Sequence, residues 1–354
     1  MINRMIRNLA FIAFGLSALL LSGCETLHYY GQAACGQCNI LLKRTPISEI
    51  TANPETPAIL KQRLNFISAI RQFASSELHL PVKNNYLTYV DLERPYVVWN
   101  VFAAPEFSLT PKTWCYPVVG CASYRGYFSA QNARRFAAAL RERGYDVFVA
   151  GVTAYSTLGW FDDPVLSSFI QYSRAQMAGL IFHELAHQVL YVKDDTVFNE
   201  SFATAVEQEG LRRWQAATQS PQIYNAYLTA YRRREQFVQL IQHYRQQLET
   251  LYRSQAPASV KRDAKASIFA ALRADFEQMQ AGQVDLSAYA DWIYQDLNNA
   301  KIGSVTAYHD WVPAFKTLLA QSDGDFKQFY RKCRQLGQKS KPERDRILQG
   351  YLAQ

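Results

Sequence analysis

The sequence predicts an α+β fold, with a small mixed sheet in the first half and a mostly helical second half. Three observations carry this expectation. Runs rich in Val, Tyr and Phe with short alternation fill residues 86–107, 114–128 and 145–156, the pattern of half-buried strands. Ahead of them, Ile59, Leu60, Leu64, Ile67, Ile70 and Phe73 recur at helical spacing. Beyond residue 216 the chain turns to long charged stretches with helical periodicity, near 222–254, 260–280 and 289–300.

Taken in order, residues 1–23 have a basic front (Arg4, Arg7) and an apolar core from Leu9 to Leu21. That core is too short for a membrane span and reads as a secretory leader. It ends in Leu21-Ser22-Gly23-Cys24, which resembles a bacterial lipobox. The resemblance implies that Cys24 is acylated and anchors the chain to membrane lipid. With Glu25 rather than aspartate next, it implies the outer membrane, facing the periplasm.

Residues 24–56 are expected to form an anchor segment and linker, 57–215 a lobe holding the sheet and the chemistry, and 216–354 a helical lobe. Within the middle lobe, 57–78 and 130–143 are predicted helices. An oxidising compartment makes a Cys115–Cys121 bridge plausible chemistry, with Cys35 and Cys38 a lone C-x-x-C and Cys333 unpaired. The formal net charge is +8, but basic residues are interleaved with acids, as in Arg232-Arg233-Arg234-Glu235. This is a solvated face, and nucleic acid is not an expected partner.

The stretch with chemical content is His183-Glu184-Leu185-Ala186-His187. Apolar neighbours place it on a buried helix, where positions i and i+4 share a face and two imidazoles can serve one ion. A catalytic zinc takes three protein ligands and keeps one position open. The third expected here is Glu200, on a predicted second helix over 197–211 that folds back against the first. Glu184, one residue from His183, is then the general base. No further histidine follows until His243.

His183 to His187, with Asn199-Glu200-Ser201-Phe202-Ala203 and Glu207, resembles the gluzincin metallopeptidases, especially their aminopeptidase branch. The resemblance implies one Zn²⁺ on His183, His187 and Glu200, with Glu184 as base and Asn199 and Glu207 as residues supporting the ligands. A wider set looks like the predicted bacterial family of lipid-anchored zinc aminopeptidases. It comprises Cys24 with Tyr29-Tyr30, the stretch 116–128, Leu158-Gly159-Trp160-Phe161 with Asp163-Pro164, Asn298-Asn299-Ala300, and Tyr308-His309.

The gluzincin resemblance also implies a sheet just upstream of the metal helix, whose edge strand pairs with a peptide substrate. Residues 147–155 fit that role best, with Gly151 and Tyr155 at the substrate. The glycine-rich, glutamate-ending motif that grips a substrate amine in those enzymes is missing, since 151–155 contain no acid. Asp162, Asp163 and Glu106 are the possible replacements, with Asp162 the better expectation. Trp160 is expected to line the pocket, and Asp163 before Pro164 to cap a helix. Tyr308 and His309 are the candidate donors to a developing oxyanion. Peptides are the expected substrates. Besides an aminopeptidase, an endopeptidase, a zinc-containing assembly factor or chaperone of the envelope, and a purely structural zinc site stay open at this stage.

Overall fold

The fold is a mixed α+β architecture in a computed structural model that describes residues 27, 29–116, 120–157, 161–219, 221–282, 285–305 and 311–352. Trp160, Tyr308 and His309 lie outside the described residues, as do Cys24 and the leader. In chain order come helix α1 (29–42), β1 (Thr45–Pro46), α2 (Ile47–Ala52), α3 (Ala58–Ser76), β2 (Thr88–Val90) and β3 (Val98–Pro105). Next are β4 (Trp114–Tyr116), β5 (Gly120–Ala122), β6 (Arg125–Tyr127), α4 (Ala130–Glu142), β7 (Tyr145–Val152), β8 (Val165–Leu166) and α5 (Ser167–Ile170). The metal-motif helix α6 (Arg174–His187) and its partner α7 (Thr196–Thr218) follow. Then come α8 (Pro221–Arg253), α9 (Ala258–Ala281), α10 (Ala290–Tyr294), α11 (Asn299–Ser304), α12 (Val312–Ala320), α13 (Phe326–Gly337) and α14 (Lys341–Leu352).

The strands form three small sheets ordered β1-β2-β8, β6-β3-β7 and β4-β5. In the second, β3 is central and antiparallel to both neighbours, with Phe102 opposite Phe148. Alternation explains how it packs. Val101, Ala103 and Val147 face α4 and meet Ala133, Ala137 and Leu140 in a buried cluster, while Phe102 and Phe148 stack on the other face. β7 is an edge of this sheet. The β4-β5 hairpin is joined by the Cys115–Cys121 disulfide, and Cys35, Cys38 and Cys333 are free.

The largest core gathers α3, α6 and α7 with the C-terminal helices α12–α14; Leu64, Ile67, Ile181, Phe182, Phe202, Phe315 and Phe329 are all sealed from solvent. A second core lies between α8, α9, α10 and α11, around Ile241, Leu248, Leu272 and Phe276. The expected helix over 289–300 is broken. Asn298 leaves helical geometry to cap α11, accepting from the Lys301 amide at 3.0 Å, and also donates to the Val147 carbonyl of β7 at 3.2 Å. Asn299 donates to the carbonyls of Pro105 and Glu106 and accepts from Tyr252. Both asparagines therefore staple α11 to the sheet.

Candidate metal centre

Helix α6 starts at a capping box in which Ser173 accepts from the Gln176 amide and Gln176 accepts from the Ser173 amide. Met177, Ala178, Ile181, Phe182, Leu185 and Ala186 are all buried, which leaves one face for His183, Glu184 and His187. The helix gives way at Gln188, and α7 begins at Thr196 under Asp195, whose carboxylate accepts from the Phe198 amide. Asn199 grips the turn by both ends of its amide, accepting from Val192 N and donating to Val192 O at 2.7 Å each. It thus holds the loop between the helices and sets where Glu200 begins, without reaching toward the ligands itself.

This arrangement brings His183 Nε2 within 3.3 Å and His187 Nε2 within 3.7 Å of the Glu200 carboxylate. One donor atom from each of these residues falls within 4.8 Å of the others, a group able to hold a metal ion. Behind it, Glu207 meets His183 Nδ1 at 3.1 Å, which fixes the imidazole with Nε2 turned toward the group. Gly179 makes that approach possible, because a Cβ there would stand 3.0 Å from Glu207 Oε1. Tyr227 of α8 hydrogen-bonds the same carboxylate. His187 Nδ1 is buried with no partner among the described residues.

Charged and titratable groups crowd this cluster and perturb one another. Burial works against a charged His183, yet hydrogen bonds to Glu200 and Glu207 outweigh it and hold its pKa at about 10. His187 is driven down to about 4 by burial and by the neighbouring His183 charge. Glu184 is raised to about 7, mainly by burial, with His183 opposing and Glu200, Asp163 and Glu207 adding to the rise. Three carboxylates around two imidazoles are a favourable setting for a divalent ion.

The remaining expected residues fall in different places. Gly151 is in edge strand β7, and a Cβ on it would strike the ring of Tyr96, 2.3 Å away; glycine is needed there for packing. Tyr155 donates to Gln37 of α1 and faces a small cavity. Asp162 instead takes a bond from Asn84 at 3.4 Å, and Glu106 is paired with Arg262 at 2.5 Å. Asp163 caps no helix: strand β8 follows it, and its carboxylate accepts from the Thr157 amide and hydroxyl at 3.1 and 2.7 Å. Tyr86, Tyr227 and the Asp195–Arg344 pair carry no sequence motif and were not expected.

A pair of antiparallel helices converging two imidazoles and a carboxylate, beside a further carboxylate that stays outside the group, defines a candidate mononuclear metal centre. The chain belongs to the family described as "Putative aminopeptidase", whose model matches residues 28–348; membership supports a peptidase activity. No curated protein and no solved structure matches the chain.

Proposed function

We propose that this protein is a zinc-dependent aminopeptidase. The observation that carries the reading is the convergence of His183 Nε2, His187 Nε2 and Glu200, with Glu184 on the same helix face and outside the ligand group. Two imidazole nitrogens and a carboxylate oxygen suit zinc. When bound there, zinc supplies Lewis-acid polarisation of a peptide carbonyl and acidifies water.

The protein's own groups do the rest. Glu184, partly buried and with its pKa raised to about 7, is poised to take a proton from the attacking water and hand it to the departing amine. Glu207 keeps the His183 ring oriented. Edge strand β7 pairs with the substrate backbone; Asn298 already occupies the Val147 carbonyl and marks one end of the usable edge. Tyr308 and His309 are the proposed donors to the oxyanion.

Glu184→Gln is the decisive variant. It should retain zinc and fold while turnover on a mixed peptide library falls by at least ~10³-fold. A fully active Glu184→Gln protein refutes the assignment. Loss of single N-terminal residues, read by mass, identifies the aminopeptidase; cleavage inside N-blocked peptides identifies an endopeptidase.

We also propose that acylated Cys24 ties the chain to the outer membrane, a few residues before α1. Cys24→Ser should move the protein from the membrane to the soluble periplasmic fraction, and an unchanged distribution contradicts the anchor.

A further inference from the structure

Beside the metal-motif helix lies a cavity of about 20 Å³, lined among others by Gln37 of α1, Tyr86, Tyr155, Asp163 and Leu180. It is room for one water-sized group. Its lining residue Leu180 stands one helical turn before Glu184 on α6.

Two of its polar groups lack what buried groups normally have. Asp163 is only 6% exposed. Its carboxylate accepts bonds from Thr157 and Ser156, but no basic side chain among the described residues pairs with it. Buried carboxylates are ordinarily matched by a cation. Tyr86 is 5% exposed, and its hydroxyl has no hydrogen-bond partner among the described residues. Glu184 repels the Asp163 charge across this region, and both carboxylates act on Tyr86.

The backbone shows that Tyr86 is placed there at a cost. Its φ is 60°, a conformation that a bulky aromatic residue rarely adopts. Five hydrogen bonds impose it. Arg71 donates to the carbonyls of Lys83 and Asn85, Tyr86 N donates to Asp163 O at 2.7 Å, and Asn85 accepts from Asp163 N at 2.8 Å while donating to Gln188 just past the metal helix. Strain over-determined in this way clusters where a side chain must be presented to a ligand.

We propose that Asp163, Tyr86 and Tyr155 form the receptor for the substrate's N-terminal ammonium. A primary ammonium brings three N–H donors and one positive charge. The cavity offers three acceptors: the Asp163 carboxylate, the Tyr86 oxygen, and the Tyr155 oxygen, whose own proton is given to Gln37. An N-acylated terminus brings one donor, no charge and more bulk than the cavity holds. This deepens the aminopeptidase reading and rests on it, with Asp163, rather than the preferred sequence candidate Asp162, in the role.

The test compares binding and turnover on the zinc-loaded chain. Titration of L-alanine and L-leucine against their N-acetyl derivatives reads amine binding without chemistry; kcat/KM on free and N-acetylated peptides reads it with chemistry. The wild type should bind the free amino acids and not the acetylated ones. Asp163→Asn should lose about a hundred-fold in binding and in kcat/KM, erase the preference for a free terminus, and keep its zinc. Tyr86→Phe should lose about ten-fold with zinc content and Tm unchanged, and it carries the test if Asp163→Asn fails to fold. Free amino acids bound by the wild type but not by Asp163→Asn, with no peptide cleaved by either, would leave the ammonium site standing and refute the peptidase. Peptide cleavage indifferent to N-acetylation, or unaltered amine preference in the variants that fold, overturns the ammonium site and leaves the peptidase standing.

Discussion

His183 faces carboxylates from both of its nitrogens, Glu200 at 3.3 Å and Glu207 at 3.1 Å, and this sets how pH should act on the proposed metal uptake. A histidine held protonated up to about 10 must lose its proton before it ligates, so metal and proton compete for one nitrogen. The sign is fixed: raising pH removes the competitor. Apparent zinc affinity of the metal-free protein should therefore rise roughly ten-fold per pH unit between about pH 6 and 9, with about one proton released per zinc from His183. Potentiometric proton release during titration checks this, and a pH-independent affinity contradicts it. At this scale the sequence was informative where chemistry depends on spacing. His183, Glu184 and His187 share a helix face by periodicity alone, and Glu200 follows from the length of the turn. Tyr86 was illegible, because its role depends on a left-handed turn held by Arg71, Asp163 and Asn85, and no residue pattern announces that.

The start of α7 is the element on which the Glu200 position depends, and the far end of the chain secures it. Arg344 of α14 donates to Asp195 at 2.7 Å, both are nearly sealed from solvent, and Asp195 in turn caps α7 five residues before Glu200. Without Arg344 the buried Asp195 keeps only the longer Lys341 contact at 3.5 Å, so the loss is up to about 3 kcal/mol, less than for a fully unpaired buried charge. Arg344→Met should lower unfolding stability by that amount in urea and weaken zinc retention with it; a variant as stable as the parent contradicts the clamp. Elements were readable where periodicity was strong, as in α3, α4, α7 and the three strand regions. They were not where one polar residue decided the outcome. Asp163-Pro164 has the look of a helix start but leads into the strand β8, which pairs with β2. The stretch 289–300 keeps a helical period, yet the chain leaves the helix at Gln295, and Asn298 starts α11 while bonding to β7.

Across the whole molecule, the first and last helices converge on the neighbourhood of α6 and α7 from opposite ends of the chain. α1 contributes Gln37 and Ile40 beside the cavity, and α12–α14 complete the core behind the metal helices. A site assembled this way cannot be read locally; the sequence shows the candidate ligands but not the walls around them. His183, His187 and Glu200 are proposed to hold one zinc ion together, and elemental mass spectrometry of the purified chain counts that ion. About one zinc per chain is expected in the wild type and little or none in His187→Ala or Glu200→Ala, with both variants still folded by circular dichroism. A wild type that takes up no zinc, or variants that keep a full equivalent, would contradict it.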